Sequence, residues 1–313
     1  MIEGGYTDNF AGTSSATPHV SGVAALILSV NPCLTREEVK YIIEATCTKI
    51  RQDVYTYSNN PNHPNGTWNI EVGHGLVNAG DAVALAQQMG GYTYVKDTVI
   101  SSSVSWNTNR MINQDLYIDS LATLTITDTL YVGNNARIVV RPGGRLVVDG
   151  GILTPACSDE MGQGSCVEGC RSRHQTPENQ GKVTLRNGAV IENALCAIRT
   201  SAPDGDSLSS GGLVFATNST FRNNCKSVDF LPYADTIGDS ATIGNLGSFT
   251  RCTFTVDDDN LFAANDTSFV AHATLWDVYG VSFLGCTFTN ATTDATADRG
   301  YAIRALDAGF HVG

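Results

Sequence analysis

The second half of the chain repeats one short strand-like segment at nearly equal intervals. The stretches NSTFRNN, RCTFTVD and GCTFTNA align at Phe221, Phe254 and Phe288, which are 33 and 34 residues apart. Because successive side chains of a strand point to opposite faces, the residues two positions earlier share the face of the phenylalanines. Those residues are Ser219, Cys252 and Cys286. Units this short cannot bury an apolar face alone, so the repeat predicts a stacked solenoid with the phenylalanines inside.

Short apolar alternations also precede this repeat. In ATLTITDTLYVGNNARIVVRPGGRLVVDGGILTP, Gly, Asn and Asp turns separate pairs of apolar residues. The pairs are Leu124 and Ile126, Leu130 and Val132, Ile138 and Val140, and Leu146 and Val148, followed by Ile152. This pattern resembles the coils of right-handed parallel β-helices of the pectin-lyase-like type. The last residues, YAIRALDAGFHVG, still alternate and offer no cap, so we expect the solenoid to be incomplete at that end.

Near the start, the stretch NFAGTSSATPHVSGVAALIL places a turn of small residues before an apolar run. Pro18 is tolerated only near the beginning of a helix, so Ser14 is predicted to lie in the first turn. Free N–H groups and the positive end of the helix dipole at that position stabilise a developing oxyanion. The apolar run from Val20 to Val30 predicts a helix that is buried on most sides and ends at Asn31-Pro32. The alternative to a functional serine there is an ordinary helix-capping residue.

The pattern G-T-S-x-A-x-P-H-V-x-G over residues 12–22 resembles the nucleophile motif of subtilisin-like serine proteases. The resemblance implies that Ser14 is the catalytic serine, that its backbone N–H contributes to the oxyanion hole, and that the substrate is a peptide or protein. His19 matches a structural histidine of the motif, and five helical residues turn it about 140° away from Ser14. In the family, the aspartate and histidine of the triad and the oxyanion asparagine lie upstream of the serine. The thirteen residues before Ser14 contain no histidine, so we expect a fragment that is inactive alone.

The rest of the first 90 residues fits the same family. Thr35 and Glu38 form a T-x-x-E capping box before a helix, and Asn78 can cap a last helix that runs through Gln88. The Pro- and Asn-rich stretch between them predicts a surface loop that includes His63, and His74 lies in the turn that follows. We therefore expect a mixed fold. Residues 1–90 would be a truncated, mostly helical α/β subtilisin-like segment, residues 91–110 a linker, and residues 111–313 an all-β parallel β-helix.

Composition excludes some classes of partner. The formal net charge is −12 and the 19 Lys and Arg residues form no dense run, so nucleic acid is not an expected ligand. No apolar stretch is long enough to predict a membrane span, and the first twenty residues lack a signal-peptide pattern. Because the family is usually exported, the resemblance nevertheless implies a secreted or cell-surface protein.

The cysteines and acidic runs do not predict a metal site. Cys33 and Cys47 lie at opposite ends of a predicted helix about 18 Å long, too far apart for a disulfide. A second group contains Cys157, Cys166, Cys170 and His174. It lacks the paired C-x2-C spacing of zinc knuckles, so a loop disulfide or unpaired thiols are favoured over zinc. The acidic run Asp257–Asn260 offers too few ligands for calcium. No metal and no cofactor is predicted.

Two other functions remain open for the β-helix. It could be a binding or adhesive module for a surface glycan or protein that carries only a protease remnant. It could also be a polysaccharide lyase or hydrolase, which would need convergent carboxylates, or a carboxylate with a Lys or Arg base, on one face. The sequence identifies no such set.

Overall fold

The computed structural model describes residues 11–237, 241–293 and 299–313. The chain divides into two compact units, Met1–Tyr92 and Thr93–Gly313. No helix among the described residues is long and apolar enough to pass through a membrane.

From residue 11 onward, where the structure describes it, the first unit contains three helices and a small hairpin. The helices are α1 (Thr13–Val30), α2 (Arg36–Ala45) and α3 (Ala79–Gly90). The antiparallel strands Ser58–Asn60 and His63–Trp68 form the hairpin where the sequence predicts only a loop. Both predicted caps are confirmed, because Thr35 and Glu38 make a reciprocal capping box and the Asn78 side chain accepts from the Asp81 N–H at 3.1 Å.

Helix α1 begins and ends where the sequence predicts, but its burial differs. A single stripe, Val23, Ile27 and Val30, is buried. Val20, Leu26 and Leu28 remain exposed, so the expectation of a helix buried on most sides is wrong for the described residues. The reason is that α1 packs mainly against α2 and α3. Buried residues spaced four and three positions apart lie on one face of the helix, and that face alone makes both contacts.

The second unit is a coil of parallel strands. Its described residues form three sheets of eight strands, and the chain visits the three sheets in the same order in every turn of the coil. The first sheet contains Thr93–Tyr94, Arg110–Ile112, Thr129–Val132, Ile152–Pro155, Val190–Glu192, Thr220–Arg222, Thr253–Val256 and Thr287–Asn290. The second contains Val99–Ile100, Leu116–Ile118, Ile138–Val140, Ser165–Val167, Ile198–Arg199, Lys226–Phe230, Ala271–Trp276 and Tyr301–Leu306. The third contains Val104–Trp106, Thr123–Ile126, Arg145–Asp149, Lys182–Arg186, Leu213–Thr217, Ser248–Thr250, Tyr279–Leu284 and Gly309–Val312.

A few short elements lie outside these sheets. Asp235–Ile237 and Ala241–Ile243 pair as antiparallel strands, and Ser207–Ser209 and Ala263–Asn265 are single 3-10 turns. The large parallel sheets fit the predicted parallel β-helix.

The interior of the coil is apolar and in register. Phe221 pairs with Phe254, and Phe254 with Phe288, in neighbouring strands. Their rings stack at 4.7 and 4.8 Å between centroids. Phe221 and Phe254 are fully buried, whereas Phe288 in the last turn of the coil is half-buried. Cys252 and Cys286 are free thiols, as the alternation predicts for packing residues.

The coil begins earlier than the sequence analysis expects. Thr93–Tyr94, Val99–Ile100 and Val104–Trp106 each pair with the next strand of their sheet, so the predicted linker over 91–110 contains a complete turn of the coil. These strands have two or three residues, which is too few for an alternation to show. Trp106, which is 4% exposed, anchors this first turn to the core.

Candidate active site

The candidate nucleophile, Ser14, lies in the first turn of α1, as predicted. Gly12 precedes the helix with φ of 94°, a backbone conformation that residues with a side chain rarely adopt. The Gly12 carbonyl accepts from the N–H groups of Ser15 and Ala16, at 3.1 and 3.2 Å. The Ser14 N–H lies one residue before the first of these donors, so it has no carbonyl acceptor within the helix.

The hydroxyl of Ser14 is exposed and differs from its neighbours in its bonding. Ser15 Oγ donates to the Gly12 carbonyl at 2.7 Å, and Thr17 Oγ1 donates to the Thr13 carbonyl at 3.0 Å. Within residues 11–237, 241–293 and 299–313, nothing hydrogen-bonds Ser14 Oγ in this way. Pro18, the sixth residue of the helix, has no N–H, so the Ser14 carbonyl also lacks its usual helical donor.

The electrostatics at this helix end favour a negative charge. The first turn of α1 has no acidic residue, so no side chain of the helix neutralises the positive end of its dipole. An oxyanion beside Ser14 would therefore meet both a free N–H and the uncompensated dipole.

His19 does not act on Ser14 in this structure. Its Nδ1 lies 2.8 Å from the Ser15 carbonyl oxygen, one helical turn back. A carbonyl accepts only, so Nδ1 carries the proton and donates to it. This bond fixes the ring on the helix surface, which fits the structural role that the resemblance implies.

The two histidines downstream form a cluster of their own. His63 stacks on Trp68 at 4.3 Å and meets His74 edge-on at 6.1 Å. His74 is buried and its Nε2 lies 3.8 Å from Glu44 Oε2. These contacts hold the hairpin against α2, so His63 and His74 serve as packing residues.

The cysteine-rich segment does not assemble as one site. Cys166 lies in the strand Ser165–Val167, and burial raises its thiol pKa to about 11. Cys170 is a free thiol in the following loop, and His174 Nδ1 lies against Asp235 Oδ2. Among the residues that the structure describes, no three His, Cys, Asp or Glu side chains are arranged as metal ligands.

A charged group on the outer face of the second sheet was not found from the sequence. Asp229 accepts from Thr274 Oγ1 at 2.5 Å and Lys226 Nζ at 3.2 Å, and Arg199 Nε lies 3.5 Å from it. Strand register brings Arg199, Asp229 and Thr274 side by side although 30 and 45 positions separate them along the chain. Both cations are paired with this one carboxylate, so the group offers no free base.

Comparison with known proteins finds a family similarity in the first unit. The Subtilase family model matches residues 2–75. The calcium-dependent protease of Nostoc sp. is 32% identical over 172 residues, which cover 52% of this chain and 24% of that protein. Bacillopeptidase F of Bacillus subtilis is 43% identical over 79 residues, covering 25% of this chain and 5% of that protein. Subtilisin E of Bacillus subtilis is 44% identical over 54 residues, covering 17% and 14%.

The chain spans about a quarter or less of the length of these relatives. No solved structure matches it. The matched segment contains Ser14 and the whole of α1 and α2, and it ends before α3. Residues 2–75 of this chain are therefore similar to the subtilase family.

Proposed function

We propose that this chain is part of an exported subtilisin-like serine endopeptidase, with Ser14 as its nucleophile. One observation carries the proposal. Gly12, Ser14, Pro18 and His19 stand in the register of the family motif, and that motif coincides with the start of a helix. Such a position supplies an exposed hydroxyl beside an unused N–H, which is what acyl transfer requires.

The reaction would proceed by covalent catalysis. Ser14 Oγ attacks the peptide carbonyl, and a histidine from an upstream segment, oriented by an aspartate, takes the hydroxyl proton. The Ser14 N–H and the positive end of α1 stabilise the tetrahedral oxyanion. The protonated histidine then donates its proton to the leaving amine as the C–N bond breaks, and water hydrolyses the acyl-enzyme.

The 313-residue chain alone is expected to be inactive. A serine hydroxyl is a poor nucleophile without a base, and loss of a triad partner lowers turnover by about 10⁴ or more. Within the described residues no imidazole is bonded to Ser14, and His19 is committed to a carbonyl.

The test compares this chain with its form extended by the upstream coding sequence. A fluorophosphonate probe should label the extended protein, and Ser14→Ala should abolish both labelling and peptide hydrolysis. Ser15→Ala is the matched control, because that hydroxyl only caps the Gly12 carbonyl. Retention of activity in Ser14→Ala would refute the assignment, as would strong labelling of the 313-residue chain by itself.

A binding module that carries a protease remnant is the second candidate. It is favoured by the extent of the β-helix, which occupies Thr93–Gly313 while the family match ends at residue 75. Failure of the extended protein to react with the probe, although folded, would support this alternative.

A further inference from the structure

Four asparagines stand in the N-x-T pattern to which N-linked oligosaccharides are attached: Asn65, Asn218, Asn265 and Asn290. The pattern is short and common, so it does not by itself define a site. Attachment replaces one hydrogen of the side-chain Nδ2 by a bond to a bulky sugar. One N–H remains, so a nitrogen that donates two hydrogen bonds must lose one of them, and a nitrogen that donates one can carry the sugar only where its other hydrogen faces open space.

Asn265 cannot carry a glycan in this fold. Its Nδ2 donates to the carbonyls of Asp159 and Leu261, at 3.0 and 2.9 Å, and its Oδ1 accepts from the Met161 N–H at 3.0 Å. The amide therefore ties two loops together, and substitution at Nδ2 would remove at least one of these bonds.

Asn65 and Asn290 each use one hydrogen of Nδ2 and are less accessible than Asn218. Asn65 Nδ2 donates to Glu44 Oε2 at 2.6 Å, next to the buried His74. Asn290 Nδ2 donates to the Arg299 carbonyl at 3.2 Å. Both side chains are half-buried.

Asn218 differs from these three. It forms the sharp turn between Leu213–Thr217 and Thr220–Arg222, with φ of 48°, and it is exposed. Its N–H donates to the Thr250 carbonyl at 3.0 Å and its carbonyl accepts from the Gly188 N–H at 2.9 Å. Its Oδ1 accepts from Arg251 Nε at 3.1 Å, whereas Nδ2 bonds to none of the described residues.

The surroundings of Asn218 leave room for a large group. The neighbouring turns of the coil place Asn187 and Arg251 at equivalent positions, also with positive φ and also exposed. Asn187 Nδ2 donates to Asp149 Oδ1 at 2.6 Å. Asn218 therefore differs even from the asparagine at the equivalent position of the preceding turn, because its Nδ2 has no hydrogen-bond partner among the described residues. Because Arg251 holds Oδ1, the planar amide directs Nδ2 away from that contact.

We propose that Asn218 is the N-glycosylation site of this chain, and this inference rests on the export included in the proposed function. Asn218 Nδ2 would attack C1 of the first sugar of a polyprenyl-diphosphate-linked oligosaccharide. The new N–C bond replaces the C–O bond to the leaving diphosphate, and the amide proton passes to a base of the transferase.

The full 313-residue chain is expressed with an added signal peptide, so that it enters a eukaryotic secretory pathway. Glycopeptides of the secreted protein are then mapped by mass spectrometry. We expect a glycan on Asn218 and none on Asn65, Asn265 or Asn290. Asn218→Gln and Thr220→Ala should each remove the mass shift. The readout is independent of proteolysis, so it stands whether or not Ser14 proves to be the nucleophile.

A positive control keeps a negative result informative. Pro64→Thr creates the same pattern at Asn62, which is exposed in the hairpin turn of the first unit. Secreted protein that carries a glycan at Asn62 but not at Asn218 would overturn the proposal. A glycan on Asn265 in folded, secreted protein would overturn the structural argument that selects Asn218.

Discussion

At the scale of single residues, aromatic stacking explains how the coil keeps its register. Phe249 and Phe283 of the third sheet stack at 4.9 Å and 9°, parallel to the column formed by Phe221, Phe254 and Phe288. Rings of the two columns meet edge-on, for example Phe249 with Phe254 at 5.7 Å. A shift of one residue in any strand would turn its phenylalanine outward, so the paired columns fix the alignment of the turns.

The cost of removing one ring should depend on its place in the column. Phe254→Ala is expected to lower the free energy of unfolding by about 3–5 kcal/mol, because the ring is fully buried between two others. Phe288→Ala should cost clearly less, since that ring is half-buried. Thr253→Ala, on the exposed face of the same strand, is the control and should change stability by about 0.5 kcal/mol or less. Urea unfolding followed by circular dichroism measures all three, and equal losses for Phe254 and Phe288 would contradict this account.

His272 should make stability depend on pH. It is buried, its Nε2 lies 3.1 Å from the Thr289 carbonyl oxygen, and burial lowers its pKa to about 4. The unfolded chain, with a pKa of about 6.5, binds the proton more readily, so the folded state loses stability as the pH falls from about 6.5 towards 4.

Between pH 7 and pH 5 this group should account for about 2 kcal/mol. Denaturant unfolding of the wild type and of His272→Gln at both pH values isolates this contribution, because the other titrating groups are common to both proteins. An identical pH dependence in the two proteins would show that His272 is not the cause.

At the scale of elements, the helix caps show what local sequence determines. The Thr35 hydroxyl accepts from the Glu38 N–H at 3.3 Å, and Glu38 Oε2 accepts from the Thr35 N–H at 2.8 Å. The bonds that Glu38 Oε2 accepts from the Thr35 N–H and, at 2.9 Å, from the Thr35 hydroxyl stabilise the charged carboxylate and lower the Glu38 pKa. Since all partners lie within four residues, α2 could be predicted from the sequence alone.

Removing this cap should weaken α2 measurably. Thr35→Ala is expected to cost about 1 kcal/mol, because the Glu38 N–H at the helix start loses its acceptor and Glu38 Oε2 loses the Thr35 hydroxyl as a donor. Thr56→Ala, in an exposed stretch before the hairpin, provides a matched control without a capping role. Thermal unfolding followed by far-ultraviolet circular dichroism compares the two, and an unchanged midpoint for Thr35→Ala would mean that the cap contributes nothing.

Elements that depend on neighbours could not be predicted in this way. Val99–Ile100 has two residues and exists because it pairs with Leu116–Ile118 in the next turn of the coil. The same limit applies to the sites. The position of Ser14 follows from a local motif, whereas the group around Asp229 depends on strand register across 45 positions.

At the scale of the whole molecule, the coil has no closing element among the described residues. Its last strands, Tyr301–Leu306 and Gly309–Val312, continue the second and third sheets without a further partner. Tyr301 and Val312, which occupy inward positions by register with Ala271 and Phe283, are 59% and 65% exposed. The right-handed sense of the coil, which the resemblance implies, stays a prediction.

This open turn should make the 313-residue chain associate with itself. Unpaired strand edges and an uncovered apolar interior are the usual routes to edge-to-edge assembly. We expect light scattering to show a mean mass that rises with concentration, and Val312→Lys to reduce the effect because a charge would have to be buried between stacked ends. Leu208→Lys is the matched control, since Leu208 is 72% exposed but lies in a loop away from the strand ends. If the wild type stays monomeric, or if both lysine variants reduce association equally, the open turn of the coil is not the contact.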